Sequence, residues 1–195
     1  MKVIGITGGV GSGKSKVLTF MQEHFSASVC QADHVAWELQ MQGEKCYQEI
    51  VSYFGKNILN PDGTINRSAL GQIVFSDPVK LAALNGIMHP AVKMRIREKM
   101  EAERKKGIKL FVLEAALLLE EDYDQICDEV WFIYADAKVR KRSLRDGRSY
   151  TDDKTESIMK RQLTDAVFRE RCDVVIDNSN DFSDTCMQIE QAMKH

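Results

Sequence analysis

Eight consecutive residues near the start of the chain, Gly8-Gly9-Val10-Gly11-Ser12-Gly13-Lys14-Ser15, restrict the fold more than any other feature. They satisfy the spacing G-x-x-x-x-G-K-[ST], in which glycines reach dihedrals closed to other residues and let successive backbone N–H groups wrap an anion. The pattern has this meaning only between a buried strand and the start of a helix, whose N-terminal partial positive charge completes the cradle. Both flanks qualify. Val3 to Thr7 is a short apolar, β-branched run that stops at the glycines, and Val17, Leu18, Met21 and Phe25 keep helical spacing from Lys14 onward.

Further apolar runs follow. Ser28-Val29-Cys30 predicts a second strand ending at Gln31-Ala32-Asp33, and three more strands are predicted around Val112, Val130-Trp131-Phe132-Ile133 and Val174-Val175-Ile176. Five short strands separated by helical stretches predict an α/β chain with a parallel, doubly wound sheet. At 195 residues there is one substantial core but no room for two full domains and a linker. The expected arrangement is a single domain, with a core of about 1–39, 108–137 and 163–195. A helical insertion occupies about 40–107, divided by the Asn60-Pro61-Asp62-Gly63 turn and by His89-Pro90. A polar segment of about 138–162 carries Arg140, Lys141, Arg142, Arg145 and Arg148 before a helix from Asp152, a charge pattern that suits a lid over phosphates.

Charge and cysteine usage narrow the class. Lys and Arg number 27 against 29 Asp and Glu, a formal charge of −2, which argues against a general nucleic-acid binder. The N-terminal apolar run is too short for a signal peptide, and no stretch reaches membrane-spanning length. The five cysteines are scattered and form no C-x-x-C pair, so neutral thiols in a reducing cytoplasm are expected.

The chemistry follows from the loop. Lys14 is placed to reach the β- and γ-phosphates of a nucleotide, and Ser15 to offer a hydroxyl to Mg²⁺, so ATP and magnesium are implied together. The guanine-reading segment N-K-x-D and a D-x-x-G switch are absent, which removes most support from a GTPase. A small-molecule kinase needs an acceptor beside the substrate hydroxyl, and Asp33 falls at the C-terminal tip of the second strand, where ligands bind in such sheets. Aspartate there is equally suited to capping the helix entered at His34, and the two roles are compatible.

The whole chain resembles the dephospho-coenzyme A kinase family. Thr7 to Ser15 match its T-G-G-[IV]-G-S-G-K-S segment. Gln31-Ala32-Asp33 matches an Asp-Ala-Asp segment with the first acid replaced, and Arg67, Leu70, Val74-Phe75, Leu84 and His89-Pro90 match its helical region. Glu114-Ala115-Ala116-Leu117-Leu118-Leu119-Glu120 matches Asp-x-Pro-Leu-Leu-Phe-Glu without the proline, and Cys172 to Asn178 match Ala-Asp-x-Val-Ile-x-Asn. The resemblance implies a P-loop three-layer fold and Asp33 as catalytic base, acting with Lys14 and the lid arginines Arg145 and Arg148. It implies nucleotide contacts at Gly8, Gly9, Gly11, Ser12, Gly13, Lys14, Ser15 and Lys16, with Asn178 toward the adenine. It also implies acceptor contacts at Asp33, His89, Glu114 and Leu117, and Mg²⁺ at Ser15.

The activity so implied is transfer of the ATP γ-phosphate to the ribose 3′-hydroxyl of 3′-dephospho-coenzyme A, by a cytoplasmic monomer with no nucleic-acid or membrane partner. The residues alone leave two other readings open: a kinase for another small hydroxyl compound, such as a nucleoside monophosphate or shikimate, and a nucleotide-binding switch of low turnover. A lone Glu114 also reads as a solvated strand-end carboxylate, each lid arginine as part of a solvated basic face, and Asn178 as a turn residue.

Overall fold

The computed structural model describes residues 1–148, 151–160 and 162–194, without the side chains of 147, 148 and 152–154. Among the described residues, β1 (Lys2–Thr7), β2 (Ser28–Gln31), β3 (Leu110–Glu114), β4 (Glu129–Tyr134) and β5 (Val174–Asp177) form one sheet in the order β2-β3-β1-β4-β5. The sheet is parallel throughout, with Ile6 opposite Glu114 across β1 and β3 and Thr7 opposite Phe132 across β1 and β4. Parallel strands covered on both faces carry continuous apolar sequence, as β1, β3 and β4 do. The expected strands and the five-stranded parallel architecture are therefore present.

The chain divides into two compact units. The first, residues 1–30 and 103–195, holds the sheet core. Ile4, Ile6, Val112, Trp131, Ile133 and Ile176 pack with Val17, Leu18 and Met21 of α1 (Lys14–Phe25) and Ile189 of α9 (Phe182–Ala192). Truncating such a side chain to alanine costs roughly 2–5 kcal/mol. Two aspartates close the starts of strands: Asp128 accepts the Val3 N–H at 2.7 Å and Asp173 the Val130 N–H at 2.7 Å. The same unit carries α6 (Ala137–Arg148), α7 (Asp152–Lys160) and α8 (Asp165–Arg171). The helix expected from Asp152 is thus formed, and the arginine-rich stretch before it is helical too.

The second unit, residues 31–102, contains α2 (Ala32–Glu38), α3 (Lys45–Phe54), α4 (Arg67–Phe75) and most of α5 (Pro78–Lys105). The Asn60-Pro61-Asp62-Gly63 turn forms as expected, with the Gly63 N–H on the Asn60 carbonyl and Gly63 at φ +81°. The hydroxyl and backbone N–H of Thr64 bind the Asp62 carboxylate and hold it below its usual range.

One expectation fails here: His89-Pro90 does not separate two helices. α5 runs through it for 28 residues. Proline lacks the N–H that would bond the Gly86 carbonyl, and its ring crowds that turn. The helix survives because Met88, Val92, Ile96 and Met100, at i, i+4 spacing, continue one buried stripe across the proline. An interior proline penalises a helix by about 3 kcal/mol. Pro90→Ala is therefore expected to raise the melting temperature by up to about 6–12 °C, read by thermal circular dichroism. A fall would show that the packing of the Pro90 ring outweighs its cost to the helix.

Candidate active site

The loop leaves the C-terminal end of β1, the central strand, and turns at Gly13 into α1. Gly13 has φ +86°, and a side chain there would also strike the Asn178 carboxamide. That carboxamide donates to the Ser12 carbonyl at 2.8 Å and accepts from the Thr185 hydroxyl at 2.8 Å. Asn178 is thus the prop behind the loop's last turn, a role that its position after β5 does not reveal.

Lys14 folds back over the loop. Its Nζ donates to the Gly8 carbonyl at 2.9 Å and stands 3.8 Å from Glu114 Oε1. Glu114 is 8% exposed, so the reading of a solvated strand-end carboxylate is corrected. The parallel register explains the meeting, since Glu114 pairs with Ile6 one residue before Thr7 and the loop. Ser15 is exposed in the first turn of α1, and Lys16 lies 5.9 Å above the Phe182 ring. Leu117, just beyond β3, is 51% exposed.

These residues suit a polyphosphate with a hard cation. Among the described residues, the buried hydroxyls of Thr7 and Ser12 have no hydrogen-bond partner, although a buried unsatisfied polar group costs about 1–3 kcal/mol. The oxygen donors on hand, the Ser15 hydroxyl and the Glu114 carboxylate, are those that Mg²⁺ prefers. No group of three His, Cys, Asp or Glu side chains among the described residues is arranged to hold a metal. Mg²⁺ typically takes one or two protein ligands and completes its shell with phosphates and water. Burial pushes the Cys127 and Cys172 thiols, which precede β4 and β5, up to about 12.

The arginines of the segment expected to be a lid are sorted by burial. Arg145 is exposed on α6 with its Nε 3.3 Å from Asp146, and Arg142 is exposed beside the same carboxylate. The Arg148 side chain lies outside the described ones. Arg140 is 7% exposed, and its Nε donates to the Val10 carbonyl at 3.1 Å. Burial pulls its guanidinium below the ordinary value, and Asp165 opposes that pull. Gln162, at the end of the polar segment 138–162, accepts the Val10 N–H at 3.0 Å. One signal was available for Arg140: it lies four residues before Leu144, the buried leucine of a helix whose other apolar side chains are only Ala137 and Val139.

In the second unit, Asp33 is exposed at the second position of α2. Gln31 occupies the N-cap position of that helix, so the capping reading of Asp33 is corrected; the acid sits inside the first turn, where it complements the helix dipole. Glu38, at the end of α2, is bound by Lys99 at 3.0 Å. His89 is half-buried in α5.

Comparison with known proteins gives a consistent picture. The family model for dephospho-CoA kinase (CoaE) matches residues 2–184. The dephospho-CoA kinase of Symbiobacterium thermophilum is 36% identical over 194 residues, covering 100% of this chain and 81% of its own. That of Carboxydothermus hydrogenoformans is 36% identical, with 97% of this chain and 91% of its own covered. Among solved structures, TT1252 from Thermus thermophilus superimposes with a TM-score of 0.83 at 25% identity, covering 99% of this chain and 96% of its own. The dephospho-CoA kinase of Campylobacter jejuni gives 0.74 at 22% identity, covering 100% and 96%, a likeness of fold.

Proposed function

The chain belongs to the dephospho-CoA kinase family, and on that premise we propose that its residues move the γ-phosphate of ATP onto the ribose 3′-hydroxyl of 3′-dephospho-CoA, giving ADP and CoA. The observation that carries the reading is the G-K-S loop, set between β1 and α1 with Lys14 beside the buried Glu114.

Phosphoryl transfer asks a protein for alignment and charge stabilisation more than for covalent chemistry. Gly8, Gly9, Gly11, Ser12, Gly13, Lys14, Ser15 and Lys16 cradle the phosphates, the Val10 N–H being held by Gln162, and Lys14 exchanges the Gly8 carbonyl for phosphate oxygens. The Ser15 hydroxyl would hold Mg²⁺, which when bound would offset negative charge on the nucleotide phosphates. Asp33 orients the acceptor hydroxyl and takes its proton as transfer proceeds. Its exposure at the start of α2 supports that role, since a base must be reachable. His89, Glu114 and Leu117 are the proposed acceptor contacts, and Asn178 a contact toward adenine through the loop end it braces. Arg145 and Arg148 belong to the proposed lid, where planar guanidinium groups match charge spread over the transferring group.

A cytoplasmic monomer completes the proposal, with neither nucleic acid nor membrane as partner. The five cysteines, all free, support a reducing compartment, and the net charge of −2 supports a small-molecule substrate over nucleic acid. No described helix is long and apolar enough to cross a membrane.

The test is ADP release by purified protein with Mg-ATP, with and without dephospho-CoA, and mass analysis of the product. Acceptor-dependent ADP and a gain of one phosphate on the acceptor are expected. ADP formed with shikimate or a nucleoside monophosphate instead would reassign the substrate.

A further inference from the structure

The middle of the loop is gripped by two side chains that the phosphate-binding pattern does not require. Gln162 Oε1 accepts the Val10 N–H at 3.0 Å, and Arg140 Nε donates to the Val10 carbonyl at 3.1 Å. Arg140 Nη2 donates to the same Gln162 oxygen at 2.8 Å, closing a ring of three hydrogen bonds around one loop residue. Its Nη1 stands 3.8 Å from Asp165 Oδ1. The guanidinium lies so close behind the loop that a side chain on Gly9 would run into it. Arg140 and Gln162 also stand near the two ends of the polar segment 138–162.

We propose that Arg140 and Gln162 form one positioning unit that holds the loop in its phosphate-binding shape before ATP arrives and ties that shape to both roots of the lid. The inference rests on the reading of the loop as the ATP cradle. Glycine-rich backbone loses more conformational freedom on ordering than any other. Fixing Val10 at both its N–H and its C=O moves that loss from binding into folding, which is preorganisation. The charge contributes as well. Asp165 is nearly half exposed and at ion-pair distance only, so the buried guanidinium leaves positive potential directly behind the cradle.

The test compares wild type with Arg140→Ala, Arg140→Lys, Gln162→Leu and the Arg140→Ala/Gln162→Leu double variant. Mg-ATP affinity is measured by calorimetry, the dephospho-CoA KM by assay, and folding by circular dichroism. Arg140→Ala is expected to weaken Mg-ATP roughly ten- to a hundredfold, the scale of one or two charge-assisted hydrogen bonds, and to leave the dephospho-CoA KM in place. Gln162→Leu weakens ATP less, and adds little to Arg140→Ala because both act through Val10. Methylguanidine restores ATP binding to Arg140→Ala, a recovery that repacking alone does not produce.

Mg-ATP affinity within about twofold of wild type in folded Arg140→Ala, or losses from the two sites that simply add, would overturn the proposal. If Arg140→Ala does not fold, Arg140→Lys and Gln162→Leu decide the matter on the same criterion, since lysine keeps the charge and loses the fork. Wild type that fails to bind Mg-ATP would overturn the cradle reading, and this inference with it.

Discussion

Replacing Lys14 with methionine is expected to lower phosphoryl transfer by at least about 10²–10³, the scale of removing one preorganised group from developing transition-state charge. Methionine keeps most of the stem length and removes the ammonium. The free protein also uses that ammonium, however: it lies 2.9 Å from the Gly8 carbonyl and 3.8 Å from Glu114, whose side chain is 11% exposed. Removing one partner of a buried pair destabilises by up to about 3–5 kcal/mol, because the other charge stays behind. A dead Lys14→Met variant is therefore ambiguous by itself. The Lys14→Met/Glu114→Gln double variant, compared with Glu114→Gln alone because Glu114 is itself a proposed acceptor contact, separates the two effects. Neutralising Glu114 is expected to restore the melting temperature while transfer stays lost. If the double variant regained near-normal kcat, Lys14 would be a structural cation and its role on the phosphates would be withdrawn. ATP affinity by calorimetry completes the comparison.

What the sequence disclosed, and what it hid, follows from the range of the forces involved. The strands were readable because each is a short apolar run bounded by turn residues, and Gly8 to Ser15 were readable because only glycine permits that backbone path. The course of α5 was hidden. A proline reads as a helix boundary, and only the stripe Met88, Val92, Ile96 and Met100, buried across it, overrides that local preference. The partner of Glu114 depends on the parallel register of β1 and β3, a contact between residues about a hundred positions apart. The arginine stretch was hidden for another reason. Arg140, Arg142 and Arg145 are chemically alike in sequence, and only the packing of α6 buries the first and exposes the others. Attention to the Arg140–Leu144 spacing would have singled it out. Gln162 and Asn178 act through backbone atoms of the loop, and such partners leave no trace in residue type.

Asp33→Asn is expected to lower kcat by about 10²–10⁴, the usual range for a positioned proton acceptor, with Mg-ATP affinity unchanged. The substitution is a sharp probe because the structural role first open to Asp33 belongs to another position. Gln31 is the N-cap residue of α2, and Asp33 lies one place into the first turn with its side chain exposed. No capping bond is lost with asparagine, which has nearly the same size. What is lost is the charge near the helix N-terminus, about 0.3–1 kcal/mol, so the melting temperature should fall by no more than about 4 °C. The acceptor KM distinguishes what remains. If Asp33 acts mainly as a base, KM for dephospho-CoA stays near wild type while kcat collapses; if it mainly binds the hydroxyl, KM rises with a milder fall in kcat. A variant with normal kcat and KM, whatever its stability, would remove Asp33 from the chemistry and leave the acceptor hydroxyl to be activated by the phosphate itself.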